Sequence, residues 1–229
     1  LAEHDDVMVR VGEDYRDIEA IQHAQLLITY TCNLCPTPAE QIGLQQFLQS
    51  GKKWFALHAT NALVEFVGET VEVDGIKIPG KADTPDKAPL LMELLGSRFI
   101  AHPPQQKFQV TVSTPEHPLV RGIKAFEVYD EPYYCAYHGE VLPLLSSRYT
   151  TKAKGYVRED WDEDKPRTQF YVHPYRTGEV LYLTLGHCRG KYDMQPFMEV
   201  CPVERCAWEL PVYYELLRRG IRWGIGALQ

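Results

Sequence analysis

No stretch of this chain approaches the roughly 18–20 consecutive apolar residues that a membrane-spanning helix needs, and no block of basic residues occurs in it. The first absence argues against a membrane protein. The second accompanies 24 Lys and Arg against 31 Asp and Glu, a formal net charge of −7. That balance argues against a nucleic-acid or anionic-membrane surface. Internal repeats, low-complexity tracts and the basic, apolar and small-residue order of a signal peptide are missing too. So is a methionine at position 1: the chain reads Leu1-Ala2-Glu3-His4, and the translated protein is expected to begin upstream. Cysteine is scarce, six in 229 residues, too few for a disulfide scaffold. Cys135, Cys188 and Cys206 sit in apolar or helical contexts, as reduced thiols often do, which points to a reducing, cytoplasmic compartment. Cys32-x-x-Cys35 has the look of a redox motif. A metal reading needs a second ligand pair, and the Cys201 to Cys206 spacing does not supply one. Loop cysteines without chemical consequence are the simpler reading.

What is present is ordinary in bulk. With 45% hydrophobic and 24% charged residues in 229, one globular domain has ample material for a core. Val7–Val11 reads as a short strand, Ala20–Gln25 as the approach to a second, and Leu26–Tyr30 as that strand. A helix follows, with Thr37 as N-cap, Pro38 in the first turn, Glu40 closing a capping box, an apolar stripe of Leu44, Phe47 and Leu48, and Gly51 at its end. Trp54–Leu57 is apolar throughout, as a strand covered on both faces should be. Val71–Ile78 alternates around Asp74-Gly75, a hairpin signal. This insertion either folds over the ligand crevice or faces away from it. A helix over Leu90–Leu95 and strands at Lys107–Val112, Phe126–Tyr129 and Val141–Leu145 come next, with His117-Pro118 in a turn. Phe170–Val172 and Val180–Leu185 read as an antiparallel pair. A helix over Pro211–Ile225 closes the chain, with Tyr213, Leu216, Leu217 and Ile221 on one face.

The chemistry concentrates where apolar runs stop. Trp54-Phe55-Ala56-Leu57 ends on His58, Val128-Tyr129 on Asp130-Glu131, and Leu183-Thr184-Leu185-Gly186 on His187. In open α/β sheets, ligands bind at the carboxyl ends of the strands, and a histidine there can act as acid, base, electrophile or metal ligand. His58, Glu131 and His187 are the candidate catalytic groups. The competing reading for each histidine is a structural one, with the ring satisfied by a backbone carbonyl. Asp130 and Glu131 are adjacent in an extended segment and point to opposite faces. They cannot form a glycosidase pair with each other; one enters the crevice, for which Glu131 is favoured, and the other braces a loop. His102, Asp130 and Tyr133 are read as substrate-binding neighbours. His117 shapes a turn, and His4, His23, His138 and His173 are surface or structural. Tyr133, Tyr134 and Tyr137 form an aromatic, hydroxyl-rich wall suited to sugar rings. Two histidines with a carboxylate also suit a first-row metal, but no spacing rule tests that, and the main reading assigns no metal and no other cofactor.

Trp54-Phe55-Ala56-Leu57-His58-Ala59, Leu94–Phe99 with Ala101-His102-Pro103, Glu116–Gly122, Tyr129–Tyr133, Leu185-Gly186-His187 and Arg218–Gly226 occur in a single order. That ordered set resembles the ThuA-like family, named for trehalose utilisation, a branch of the class I glutamine amidotransferase-like fold. The resemblance implies an α/β, flavodoxin-like three-layer sandwich with a mostly parallel central sheet, here with a β-hairpin insertion and antiparallel C-terminal strands, in one domain over residues 1–229. The family usually opens with a strand and a Gly- and His-containing loop. This chain starts about where the following helix would end, so an empty sheet position and a lost crevice wall are expected. Amidotransferase relatives carry a cysteine at the elbow where this chain has His58, and Cys188 is not on that elbow, so thiolate-dependent glutamine hydrolysis is excluded. The resemblance further implies carbohydrate metabolism: a 3-keto glycoside supplied by a partner sugar dehydrogenase, with isomerisation, elimination or hydrolysis through proton abstraction beside the ketone. Glu131 or a neutral histidine would be the base, and His58 or His187 the donor to the oxyanion. A homo-oligomer is expected. A non-catalytic sugar-binding protein that kept the fold is the alternative, and a thiol or metal protein built on Cys32 and Cys35 a third.

Overall fold

The computed structural model describes residues 4–73, 76–161, 163–196 and 198–228. The elements are α1 (Ile18–His23), β1 (Leu26–Tyr30), α2 (Pro38–Gln49), β2 (Lys53–Leu57), a 3₁₀ turn (His58–Asn61), β3 (Glu65–Val67), β4 (Val71–Val73), β5 (Ile76–Ile78), β6 (Lys81–Asp83) and α3 (Pro89–Leu95). They continue with β7 (Ser97–Ala101), β8 (Gln106–Val112), β9 (Phe126–Asp130), β10 (Tyr134–Tyr137), β11 (Leu142–Ser147), β12 (Arg167–Tyr175), β13 (Gly178–Leu183), a second 3₁₀ turn (Cys206–Glu209) and α4 (Pro211–Gly224). The α2 capping box is complete: Glu40 N–H donates to Thr37 Oγ1 at 3.3 Å and Thr37 N–H to Glu40 Oε2 at 2.7 Å.

Seven strands form one sheet in the order β1-β2-β13-β12-β11-β8-β9. Alternation along the central strands assigns its two faces. Trp54, Ala56, Val180, Tyr182 and Tyr171 pack with α2 and α3, whereas Phe55, Leu57, Leu181, Leu183 and Phe170 pack with Tyr213 and Leu216 of α4. The layers are therefore helices, sheet, helix. Gly220 of α4 makes the second contact possible, because a Cβ there would overlap the Phe55 ring.

The expectation of a mostly parallel sheet needs correction. Only β1/β2 and β2/β13 pair in parallel; β13/β12, β12/β11, β11/β8 and β8/β9 are antiparallel. The sheet is mixed and mostly antiparallel, because β8 to β13 are joined without the covering helices that parallel crossovers require. Four antiparallel steps still leave β9 running in the same direction as β13 and β2, so all three end at one edge.

In a flat sheet, four strand spacings would hold β9 about 19 Å from β13. Yet the Asp130 carboxylate at the end of β9 lies 2.9 Å from the Gly186 amide just beyond β13. The sheet is strongly curled.

Three local expectations also change. Val7–Val11 forms no strand; Val9 and Val11 are exposed, so the alternation finds no neighbour to pair against. Ala20–Gln25 is mostly helix: Asp17 caps α1 by accepting from the Ala20 amide at 3.0 Å. No empty position lies between β1 and β2, which pair directly. The insertion does contain an antiparallel hairpin, β4 with β5; its Asp74-Gly75 turn lies outside the described residues. The stem of the insertion pairs β3 with β6, and β6 is bonded to the Gly155–Val157 segment. No helix among the described residues is long and apolar enough to cross a membrane.

Replacing a mid-helix glycine by alanine normally stabilises a helix by about 1 kcal/mol. Gly220→Ala should do the reverse, lowering unfolding stability by about 1–3 kcal/mol through overpacking against Phe55. Urea denaturation checks the sign.

Candidate active site

β2 delivers His58 through an unusual bend. Its φ is +42°, in the left-handed region that non-glycine residues rarely enter and that costs about 1–3 kcal/mol. Neighbours on β13 hold it there. The Tyr182 hydroxyl donates to the His58 carbonyl at 2.6 Å and accepts from the Asn61 amide at 3.0 Å. The Thr184 carbonyl lies 2.8 Å from His58 Nδ1. Because a carbonyl only accepts, Nδ1 carries the hydrogen and Nε2 is the nitrogen offered to the site.

β9 contributes two carboxylates with divergent tasks. Asp130 is fully buried and accepts from four backbone amides, those of Glu131 at 2.8 Å, Gly186 at 2.9 Å, His187 at 3.1 Å and Ala207 at 3.2 Å. Burial pushes its pKa up, against the opposing pull of His58 and of the amides. Asp130, read above with the substrate groups, thus braces three chain segments from behind the site.

Glu131 turns the other way. Its Oε1 lies 3.0 Å from His187 Nδ1 and 3.6 Å from His102 Nε2, and its Oε2 lies 3.4 Å from His58 Nε2. Gln105 Nε2 donates to Glu131 Oε1 at 3.3 Å. Burial alone would raise this carboxyl. The charge of His102, then hydrogen bonds from His187 and His58, hold it well below the usual carboxylate range instead.

His187 follows Gly186, whose φ of +120° and missing side chain let the chain turn beside Tyr213. Its Nε2 faces Glu204 Oε2 at 3.0 Å. Burial opposes its charge, but Glu131 and Glu204 raise its pKa above the ordinary histidine value. His102 is part-exposed, with Nδ1 2.7 Å from the Pro103 carbonyl and Nε2 towards Glu131. The Tyr133 hydroxyl donates to His58 Nε2 at 3.1 Å. Burial, and next the charge of Glu131, keep Tyr133 protonated, with a pKa well above 10.

These groups share a half-open cavity of about 300 Å³, at the small end of ligand sites. His58, His102, Glu131, Tyr133 and His187 line it, with Tyr30, Phe99 and Tyr156 as further aromatic wall. Tyr134 and Tyr137 do not. Tyr134 is buried and stacked on Trp161 at 4.5 Å, and Tyr137 donates to the Thr168 carbonyl at 3.4 Å. Among the described residues, none from 65 to 83 lines the cavity; the insertion reaches it only through the contact of its stem with the Tyr156 segment.

Glu204 and Gln105 carry no local sequence signal. Both sit in irregular segments, and only the fold places Gln105 Nε2 2.9 Å from Glu204 Oε2. Cys32 and Cys188 line the cavity, Cys35 does not, and all six thiols are free.

A family model described as ThuA, trehalose utilisation, matches residues 75–202, more than half of the chain. The chain belongs to the ThuA family. Solved structures agree at the level of fold. A ThuA-like protein from Bacteroides uniformis is 18% identical with a TM-score of 0.63, over 96% of this chain and 77% of that one. One from Parabacteroides merdae is 15% identical with a TM-score of 0.56, over 96% and 79%. The β-galactosidase from Rahnella sp. R3 is 12% identical with a TM-score of 0.50, over 91% of this chain but 23% of that chain. No curated protein matches the chain. The residues matched to the ThuA model include His102, Asp130, Glu131, Tyr133 and His187, whereas His58 lies outside them.

Asp130→Asn removes one of two acceptor oxygens and turns an amide group towards backbone N–H donors. The expected loss is about 2–4 kcal/mol of stability, seen as a lower urea midpoint at unchanged m-value.

Proposed function

We propose that this ThuA protein is an enzyme of carbohydrate metabolism that moves a proton on a sugar carrying a ketone, a 3-keto glycoside being the substrate class. The supporting observation is the convergence of three imidazoles and a tyrosine hydroxyl around one buried carboxylate in a cavity of ligand size.

A ketone at C3 acidifies the hydrogen on C2. A base removes that proton, the C–H electron pair becomes the C2–C3 double bond, and negative charge collects on the C3 oxygen. The intermediate then takes a proton at C3 while the C2 hydroxyl proton passes to the C3 oxygen, which moves the ketone to C2; or the C3 carbonyl re-forms and the C2–C3 pair becomes a C1–C2 double bond as the glycosidic C–O bond breaks and the leaving oxygen takes a proton.

General bases work best with a pKa near the operating pH. Glu131, held well below that range, is poorly suited. The geometry offers His102 instead: its Nδ1–H is engaged by the Pro103 carbonyl, which in the neutral ring leaves Nε2 as the lone-pair nitrogen on the cavity wall. The oxyanion would be met on the side of the Tyr133 hydroxyl, where a fixed donor in a poorly solvated site is worth most. Glu131 orients the imidazole cluster.

The test is a proton NMR time course with a 3-keto disaccharide in heavy water. Wild type should wash deuterium into C2 or lose the anomeric signal. His102→Gln should slow this by about 10²- to 10⁴-fold. An unchanged spectrum with folded wild type would reject the enzyme and leave a sugar-binding protein.

A further inference from the structure

We infer that His58, His187 and Glu131 form a binding site for one divalent first-row transition-metal ion. Among the described residues they are the one group of three or more histidine, cysteine and carboxylate side chains whose ligand atoms all come within 4.8 Å of one another.

The outward bonds of the rings carry the inference. His58 Nδ1 is committed to the Thr184 carbonyl at 2.8 Å and His187 Nε2 to the Glu204 carboxylate at 3.0 Å. Both partners are acceptors, so each outer nitrogen holds the hydrogen and, in the neutral ring, each inner nitrogen presents a lone pair. Those lone pairs, His58 Nε2 and His187 Nδ1, point at Glu131, itself an acceptor, at 3.4 and 3.0 Å. The Tyr133 hydroxyl at His58 Nε2 and a proton on the His187 ring fill these positions, or one metal ion held by all three groups displaces them. A metal-ligating histidine characteristically donates its other N–H to a carbonyl or carboxylate, which fixes the ring and raises its basicity. Both histidines do so here.

The spacing fits as well. An ion with bonds of about 2.0–2.2 Å sets adjacent ligand atoms roughly 3.0–3.5 Å apart, whether tetrahedral or octahedral. The observed 3.4 Å to Glu131 Oε2 and 3.0 Å to Glu131 Oε1 fall in that range for a carboxylate that offers both oxygens. Two imidazoles and one carboxylate suit zinc, manganese or iron(II) rather than calcium or magnesium. Three protein ligands leave a position open, as catalytic rather than structural sites do. The ligands line the cavity, so the open position faces it. Tyr133 and His102 stand beside that opening, 3.1 Å from His58 Nε2 and 3.6 Å from Glu131 Oε1 respectively. Glu204 is the outer-shell group, itself held by Arg189 at 2.7 Å.

The ion's role as electrophile for a keto sugar rests on the preceding functional reading; its binding does not.

The experiment is zinc and manganese titration of chelator-stripped protein, with bound metal counted by elemental analysis and affinity taken from calorimetry, and cobalt(II) used as a spectroscopic probe. One ion per chain is expected. His187→Gln and His58→Gln should each abolish it or weaken it at least 100-fold, Glu204→Gln should weaken it 10- to 100-fold, and Cys35→Ser and His117→Ala should leave it unchanged. Cobalt should show the visible bands of a nitrogen- and oxygen-ligated site. Thermal melts confirm that each variant is folded. Less than a tenth of an ion on folded wild type, or binding that survives both histidine variants, overturns the inference. No sugar enters the titration: failure of deuterium exchange leaves a positive result standing, and metal-free protein that still exchanges overturns the ion's part in the chemistry, not its binding.

Discussion

The site exists because one buried carboxylate holds a curled sheet closed. Asp130 accepts from amides of the segment after β13 and of the turn before α4, and it does so from the strand farthest from β13 on that side of the sheet. Burying a carboxylate is costly unless its lone pairs are filled. Four amide donors fill them, and charge-assisted bonds of this kind are about twice as strong as neutral ones. Without that clasp, β9 and its neighbour Glu131 would stand some 19 Å from β13 and about 24 Å from β2, the strands that lead to the two histidines, in a flat arrangement.

Strand alternation then does the rest. Once Asp130 is turned inward, Glu131 must face the other way, into the cavity where the imidazoles wait. The same logic accounts for His58. Its left-handed backbone costs about 1–3 kcal/mol, while two bonds from Tyr182 and one to Thr184 return about 1 kcal/mol each. The strain and its compensation are nearly balanced, so the elbow is maintained by β13 rather than by β2 alone. One strand of a parallel pair thus positions the functional residue that its neighbour delivers.

Much of this was legible from residue order. Apolar runs that stop on His58, Glu131 and His187 announced strand ends, and the opposed roles of Asp130 and Glu131 followed from the two-residue period of a strand. The α2 boundaries were written in Thr37, Glu40 and Gly51. What was illegible depended on distant partners. Strand direction from β8 onward is set by which neighbour each strand finds, and nothing in Lys107–Val112 or Phe170–Val172 states that. Val7–Val11 alternates correctly but meets no sheet. Tyr134 and Tyr137 share a strand whose pairing with β7 turns them away from the cavity. Glu204 lies in an irregular stretch, so only tertiary placement reveals it.

The curl has a kinetic meaning as well. The clasp links positions 56 to 77 residues apart along the chain, and bringing such distant segments together is opposed by loop-closure entropy until the contact is made. The pairing of β2 with β13 spans more still, from Lys53 to Glu179, whereas β12 and β13 close over a short turn. The functional cluster therefore rests on contacts of long sequence separation, and a chain can hold its local secondary structure while having no site at all.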